Sequence, residues 1–282
     1  MGHKLIIHGG FFSESRTNSE IKLAKQQALS DIVKRSYDYL NFHSALETSV
    51  FAVSLLEDCD LFNAGIGSQI QSDGKIRLSA GLMDGSSGKF SGVINIEDVR
   101  NPILIAEKLM SVDDRVLSGR GALDFARSNG FEYFNPEIQQ RREEYERKLN
   151  ATSGLGTVGC VALDSRGNIA AATSTGGKGF EIPGRVSDSA TAAGNFANQF
   201  AGISCTGVGE DIVSAGLAVK IVTRVSDGMS IEAASQKSFQ ELKLKDGFAG
   251  IIGISANGEL YHCDSHPYMV WAACDGGLSV FS

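Results

Sequence analysis

The chain reads as an α+β protein of stacked layers, and three observations predict it. Apolar strand-like runs stand near its start, just past its middle and near its end; helical stretches separate them; and 33 of its 282 residues are glycine, available wherever backbone must turn sharply. A hydrophobic content of 42% suffices for a sizeable core.

Taken in order, Lys4-Leu5-Ile6-Ile7-His8 is a short apolar run closed by Gly9-Gly10, the pattern of a buried strand entering a tight loop. Residues 21–40 and 44–56 carry apolar side chains at helical spacing, which predicts two helices. The glycines of Phe62-Asn63-Ala64-Gly65-Ile66-Gly67 predict an irregular loop, and Met83-Asp84-Gly85 a turn. A strand at 91–96, a helix after Pro102 and another at 119–127 complete the first half. Between 128 and 156 the character changes: Pro136 is expected to open a helix, and 137–148 is almost wholly polar with both charge signs mixed, as in a solvated helix and flexible linker. Its end, Asn150-Ala151-Thr152-Ser153-Gly154-Leu155-Gly156, is small and permissive, like an exposed processing loop. Residues 157–164 and 169–173 then read as a hairpin about Ser165-Arg166-Gly167-Asn168. Helices are expected at 210–225 and 231–244, followed by a second hairpin, 249–255 with 259–263, across Ala256-Asn257-Gly258. The sequence shows no internal repeat.

A net charge of −7 disfavours a general nucleic-acid binder, so small molecules or peptides are the expected partners. No run approaches the roughly 18 apolar residues that span a bilayer, and the first ten residues lack the zones of a secretory signal; a cytoplasmic protein without membrane contact is expected. Cys59, Cys160, Cys205, Cys263 and Cys274 are odd in number and contain no CxxC pair, so they read as buried free thiols rather than a disulfide or zinc framework.

No GxSxG elbow and no Ser, His and Asp arrangement offers a hydroxyl nucleophile with its base. Cleavage before a threonine would supply both, because the new α-amine, which ordinarily titrates at about 7.7–8.0, stands beside the hydroxyl. Gly156-Thr157-Val158-Gly159 suits this, with a permissive glycine before Thr157 and a strand after it. Alone, a threonine opening a strand is ordinarily just a β-branched residue in its favoured place.

Four motifs supply context: Leu56-Glu57 through Leu61-Phe62-Asn63-Ala64-Gly65-Ile66-Gly67; Met83-Asp84-Gly85; Gly156-Thr157-Val158-Gly159 through Thr173-Ser174-Thr175-Gly176-Gly177; and Pro183-Gly184-Arg185-Val186-Ser187-Asp188-Ser189 with Ser204-Cys205-Thr206-Gly207-Val208-Gly209-Glu210. In this order and spacing they resemble the plant-type asparaginase and isoaspartyl peptidase family of N-terminal-nucleophile hydrolases, over nearly the whole chain. The resemblance implies a four-layer αββα sandwich, a single domain cut by itself into 1–156 and 157–282, and two such heterodimers paired. It implies an isoaspartyl peptidase with L-asparaginase activity, in which Thr157 is the nucleophile and Thr175 supports it. Thr206 is the implied oxyanion donor with the Gly207 amide as its companion, and Asn63 positions the scissile group. Arg185 and Asp188 would grip the α-carboxylate and α-ammonium of an aspartyl substrate, Arg with its planar fork and Asp as acceptor, while Gly207 and Gly209 line it. No catalytic cofactor is implied. A structural sodium ion is, held by the main-chain carbonyls of Leu56, Glu57, Cys59, Phe62, Ala64 and Ile66.

The chain departs from the family pattern at Phe11 in His8-Gly9-Gly10-Phe11-Phe12, where glycine or alanine is usual; slowed processing or a reshaped pocket is expected, with Phe11 and Phe12 adding apolar surface there. Ser79 stands for a common Asp, Ser187 for Gly and Arg120 for Glu. Two rivals remain at this point: a glycosylasparaginase-like amidase, whose branch has Asn at the place of Gly176, and an uncleaved binding homologue.

Overall fold

A computed structural model describes residues 2–11, 18–147 and 156–282. Two sheets form the centre. The larger contains β1 (Lys4–Phe11), β2 (Leu78–Asp84), β3 (Lys89–Ile96), β4 (Val116–Ser118), β5 (Val158–Leu163), β6 (Ile169–Thr175), β11 (Met269–Cys274) and β12 (Leu278–Val280), in the order β12-β11-β1-β5-β6-β2-β3-β4. All neighbours are antiparallel except β3 and β4. The smaller is an antiparallel sheet of β7 (Asn195–Ala197), β8 (Ala201–Gly207), β9 (Ala249–Ser255) and β10 (Leu260–Asp264), ordered β10-β9-β8-β7.

Side-chain alternation decides what each face of these strands meets. Leu5, Ile7, Val158, Cys160, Ala170 and Ala172 face α1 (Ser19–Leu40), α2 (Ala45–Glu57), α3 (Pro102–Leu109) and α4 (Gly119–Ser128), packing with Val33, Val53, Leu56 and Ile103. The alternate residues Ile6, Val161, Ile169 and Ala171 meet Ile252 and Ile254 of the smaller sheet. Beyond that sheet, Ile203, Cys205 and Ile251 pack on Ile212, Leu217, Ile221 and Phe239 from α6 (Gly209–Ala215), α7 (Leu217–Ser226) and α8 (Ile231–Lys243).

Both central hairpins form as their turns predict. In the first, Asp164 Oδ1 accepts from the Arg166 and Asn168 amides and Gly167 takes φ +86°; in the second, Gly258 takes φ +79°. Helix α2 begins in a reciprocal capping box of Ser44 and Glu47, worth about 1 kcal/mol.

Four expectations need correction. Met83 and Asp84 end strand β2 instead of making a turn, which lies beyond them, where the Gly88 amide donates to the Asp84 carbonyl. The helix expected at 210–225 is two helices, because Gly216 adopts a left-handed conformation (φ +56°) that closes α6 and turns the chain into α7. Pro136 opens no helix: α5 spans Gln139–Glu146. That helix is also not a free solvated segment. Arg141 Nε donates to the Gly67 carbonyl at 2.8 Å, Arg142 to that of Gly74 at 3.3 Å and Tyr145 Oη to that of Ser72 at 3.2 Å, and the Tyr145 ring stacks on Phe180. The expected linker and processing loop at 148–155 lie outside the described residues.

All five cysteines are free thiols, with Cys160, Cys205 and Cys274 buried, and Cys59 and Cys263 half-buried against the expectation of full burial. Among the described residues, no helix is long and apolar enough to cross a membrane.

Candidate active site

Thr157 immediately precedes β5, in the middle of the larger sheet, and is nearly buried. Its hydroxyl donates to Thr175 Oγ1 at 3.1 Å, and Thr175 Oγ1 also accepts the Gly177 amide at 3.1 Å. Strand register makes this contact: Val158 pairs with Ser174, so the flanking residues Thr157 and Thr175 meet at the strand ends.

Asn63 lies across the same point. Its main-chain amide donates to the Gly156 carbonyl at 3.2 Å, its carbonyl accepts the Gly176 amide at 3.0 Å, and its side chain bridges the Gln69 amide (2.9 Å) and the Gly177 carbonyl (2.5 Å). A Cβ on Gly156 would lie 2.8 Å from the Asn63 Cβ, so close approach explains the glycine there. The polarised carbonyl and the adjacent hydroxyl are the two partners an N-to-O acyl shift needs.

Thr206, on β8 of the opposite sheet, is fully buried, and its hydroxyl has no hydrogen-bond partner among the described residues. A buried donor left open in this way is poised for an acceptor that enters the site. Gly207 follows with φ +137°, and any side chain on it would strike the Phe248 carbonyl.

The charged groups lie nearby. Arg185 pairs through two hydrogen bonds with Glu210, Nε to Oε1 at 3.0 Å and Nη2 to Oε2 at 2.9 Å, and Lys178 Nζ reaches Oε1 at 3.1 Å. Burial alone would raise the Glu210 carboxyl, but these two cations bring it down to about 2. The guanidinium expected to take a substrate carboxylate is held by Glu210, a residue within the fourth motif whose partnership only the fold reveals. Asp188 is buried, one carboxylate oxygen has no partner among the described residues, and desolvation pushes it up to about 7 despite the pull of Arg185. Gly209 joins the two: a Cβ there would meet Arg185 Nη2 at 2.7 Å and Asp188 Oδ1 at 2.9 Å. Its missing side chain leaves both groups facing one small space.

Phe11 does not line this site. It is buried between the sheets, edge-on to Phe248 with ring centroids 4.4 Å apart, so its bulk fills core; Phe12 lies outside the described residues. Ser79 brings no charge but accepts the Asn95 amide through Oγ, and Ser187 is buried, its hydroxyl without a partner among the described residues. Arg120 is an exposed residue paired with Asp124.

The loop after α2 is built from carbonyls. Glu57 O accepts the Ile66 amide at 2.8 Å, Leu56 O that of Cys59 and Cys59 O that of Phe62, while Asp60 O and Phe62 O converge where Gly67 lacks a side chain. Among the described residues no cluster of His, Cys, Asp and Glu is arranged for a metal, so any cation here would depend on such main-chain oxygens.

Comparison with known proteins agrees with this geometry. A family model described as asparaginase matches residues 1–279. An isoaspartyl peptidase/L-asparaginase of Nostoc sp. is 44% identical over 279 residues, covering 91% of this chain and 87% of that protein. The isoaspartyl peptidase of Escherichia coli is 39% identical, covering 92% and 89%, and a plant-type L-asparaginase of Pyrococcus furiosus is 33% identical, covering 97% of each. With a family match across almost its whole length, this chain belongs to the asparaginase family.

Proposed function

We propose that the chain is a threonine-type hydrolase of aspartyl side-chain amides, an isoaspartyl peptidase with L-asparaginase activity, activated by its own cleavage between Gly156 and Thr157. The observation that carries this is the convergence at Thr157: its hydroxyl is bonded to Thr175, and the preceding Gly156 carbonyl is bonded to the Asn63 amide. Once cut, the Thr157 amine takes the hydroxyl proton and Oγ1 attacks the side-chain carbonyl of the substrate. The Thr206 hydroxyl and Gly207 amide stabilise the oxyanion, ammonia or an amino acid leaves, and water releases aspartate from the ester. Arg185 receives the α-carboxylate through the part of its fork not given to Glu210, and Asp188 receives the α-ammonium. The names of the relatives favour this reading over a glycosylated substrate, as does Gly176, packed so tightly on Ser68 that a side chain would overlap it.

The same proposal includes the αββα layering of an N-terminal-nucleophile hydrolase, a single domain of fragments 1–156 and 157–282, pairing of two heterodimers, and residence in the cytoplasm, where free thiols persist. It also includes a sodium ion in the carbonyl-rich loop, held by Leu56, Glu57, Cys59, Phe62, Ala64 and Ile66; of that set, only the Phe62 carbonyl is among those converging at Gly67, beside Asp60 O.

Intact-mass analysis of the purified protein, with hydrolysis of β-aspartyl-leucine, tests the function. Fragments meeting at Gly156 and Thr157 are expected, and Thr157→Ala should leave one intact, inactive chain. A Thr157→Ala chain that still splits, or wild-type protein inactive on both β-aspartyl-leucine and asparagine, would overturn the proposal.

A further inference from the structure

Behind the reacting groups the two sheets meet through a small polar cluster. His8 pairs with Gly159 across β1 and β5, and Gly159 pairs with Thr173 across β5 and β6, so three neighbouring strands present these residues side by side. Gly159 has no side chain, and one is forbidden there: a Cβ would overlap the His8 ring and the Ser204 hydroxyl. Into that gap Ser204 descends from β8 of the opposite sheet. Its hydroxyl bonds His8 Nε2 at 2.9 Å and Thr173 Oγ1 at 2.7 Å, and all three residues are fully buried.

Strand periodicity gives this cluster its significance. Gly159 lies two residues after Thr157, Thr173 two before Thr175, and Ser204 two before Thr206, so these three each share a strand face with one of the three threonines, and His8 pairs with Gly159 beside them. The nucleophile and its support belong to one sheet and the oxyanion hydroxyl to the other. Nothing covalent fixes the distance between those sheets, and the apolar contacts around Ile6, Val161 and Ile252 are non-directional. Hydrogen bonds across the gap are directional, and in a dry interior breaking one leaves its partner unsatisfied. The His8 ring is held uncharged, since burial takes it down to about 3 even with the Thr157 backbone pulling the other way, and a neutral ring suits a neutral hydroxyl cluster.

We propose that His8, Ser204 and Thr173 act as a positioning latch that sets the spacing between Thr157 on one sheet and Thr206 on the other. The latch rests on the proposed hydrolase reading but concerns alignment alone. It touches none of the groups assigned to the substrate's charged ends, so its loss should reach the chemical step and spare binding; a misplacement of about 1 Å can cost on the order of 10²-fold in rate.

Thr173→Val keeps the shape and removes the hydroxyl, whereas Thr173→Ser keeps the hydroxyl. With processed enzyme and β-aspartyl-leucine, Thr173→Val should lower kcat about tenfold with KM within about twofold, and Thr173→Ser should recover most of the loss. Ser204→Ala should give a similar kcat loss, and the two losses should combine to less than their product in the double variant, because they break one cluster. Unchanged kcat in Thr173→Val, a Ser variant no better than Val, or fully multiplicative losses would each overturn the latch. If Thr173→Val does not yield folded protein, Ser204→Ala alone decides by the same split between kcat and KM. Wild-type protein inactive on the dipeptide would instead count against the proposed function.

Discussion

Two parts of the candidate site are built on opposite principles. Around Thr157, Thr175 and Thr206 the groups are neutral, buried and placed by strand register, whereas around Lys178, Arg185 and Glu210 they are charged, partly exposed and placed by ion pairs between loop and helix. The first arrangement tolerates little movement because each hydroxyl is tied to a sheet; the second can exchange a partner, since a carboxylate that enters meets a guanidinium already holding one. On the proposed reading, the contrast gives the chemical step to the sheets and recognition to the loops.

The sharpest way to break that division is Thr206→Val. Loss of an oxyanion donor should lower kcat about 10²–10³-fold while KM for β-aspartyl-leucine stays within about threefold, as steady-state kinetics on processed enzyme would reveal. A loss confined to KM would erase the distinction. The reciprocal change, Arg185→Lys, cannot reproduce two hydrogen bonds to Glu210 together with a fork for the substrate. It should lower kcat/KM roughly 10- to 100-fold, mostly through KM, with cleavage at Gly156 intact by mass.

A smaller effect follows from Asp188, a buried acid beside the charged half. Because burial holds it at about 7, a free site below that pH offers a neutral acid to the substrate's ammonium, and kcat/KM should fall as pH drops through 7. Stability has the opposite sign. An unfolded aspartate ionises near 3.9, so burial of this one costs nothing at pH 3, costs more as pH rises toward 7, and reaches its full cost above 7. Asp188→Asn should therefore raise Tm at pH 8 relative to wild type and leave it unchanged at pH 3. An equal Tm difference at both values would contradict the assignment.

Different parts of this molecule were legible in the sequence for different reasons. The hairpin of β5 and β6 was readable because Asp164 and Gly167 carry their own turn chemistry. Strands β2, β8 and β11 were not: Leu78-Ser79-Ala80-Gly81 and Ala201-Gly202-Ile203-Ser204 mix small polar with apolar residues, and all three strands are buried on both faces, which erases the alternation that marks a half-buried strand. Gly216 hid inside a helical pattern because periodicity records which side chains are apolar, not which φ the chain adopts. In the candidate site, motif order could name Thr157, Thr175, Thr206, Arg185 and Asp188, since those residues sit in short contiguous runs. The partnership of Arg185 with Glu210, the grip of α5 on residues 67–74 and the cluster over Gly159 join segments far apart in sequence, and no local pattern announces such contacts.

The strand order carries a further consequence. Strand β1 lies between β5 and β11, and β2 continues the sheet beyond β6, so segments from before and after Gly156 alternate across one sheet. A chain cut at that bond would become two polypeptides sharing a single fold, neither of which holds the complete larger sheet. They would separate only by unfolding, and reassembly would become a bimolecular event, faster at higher protein concentration, whereas the uncut chain would refold at a rate independent of it.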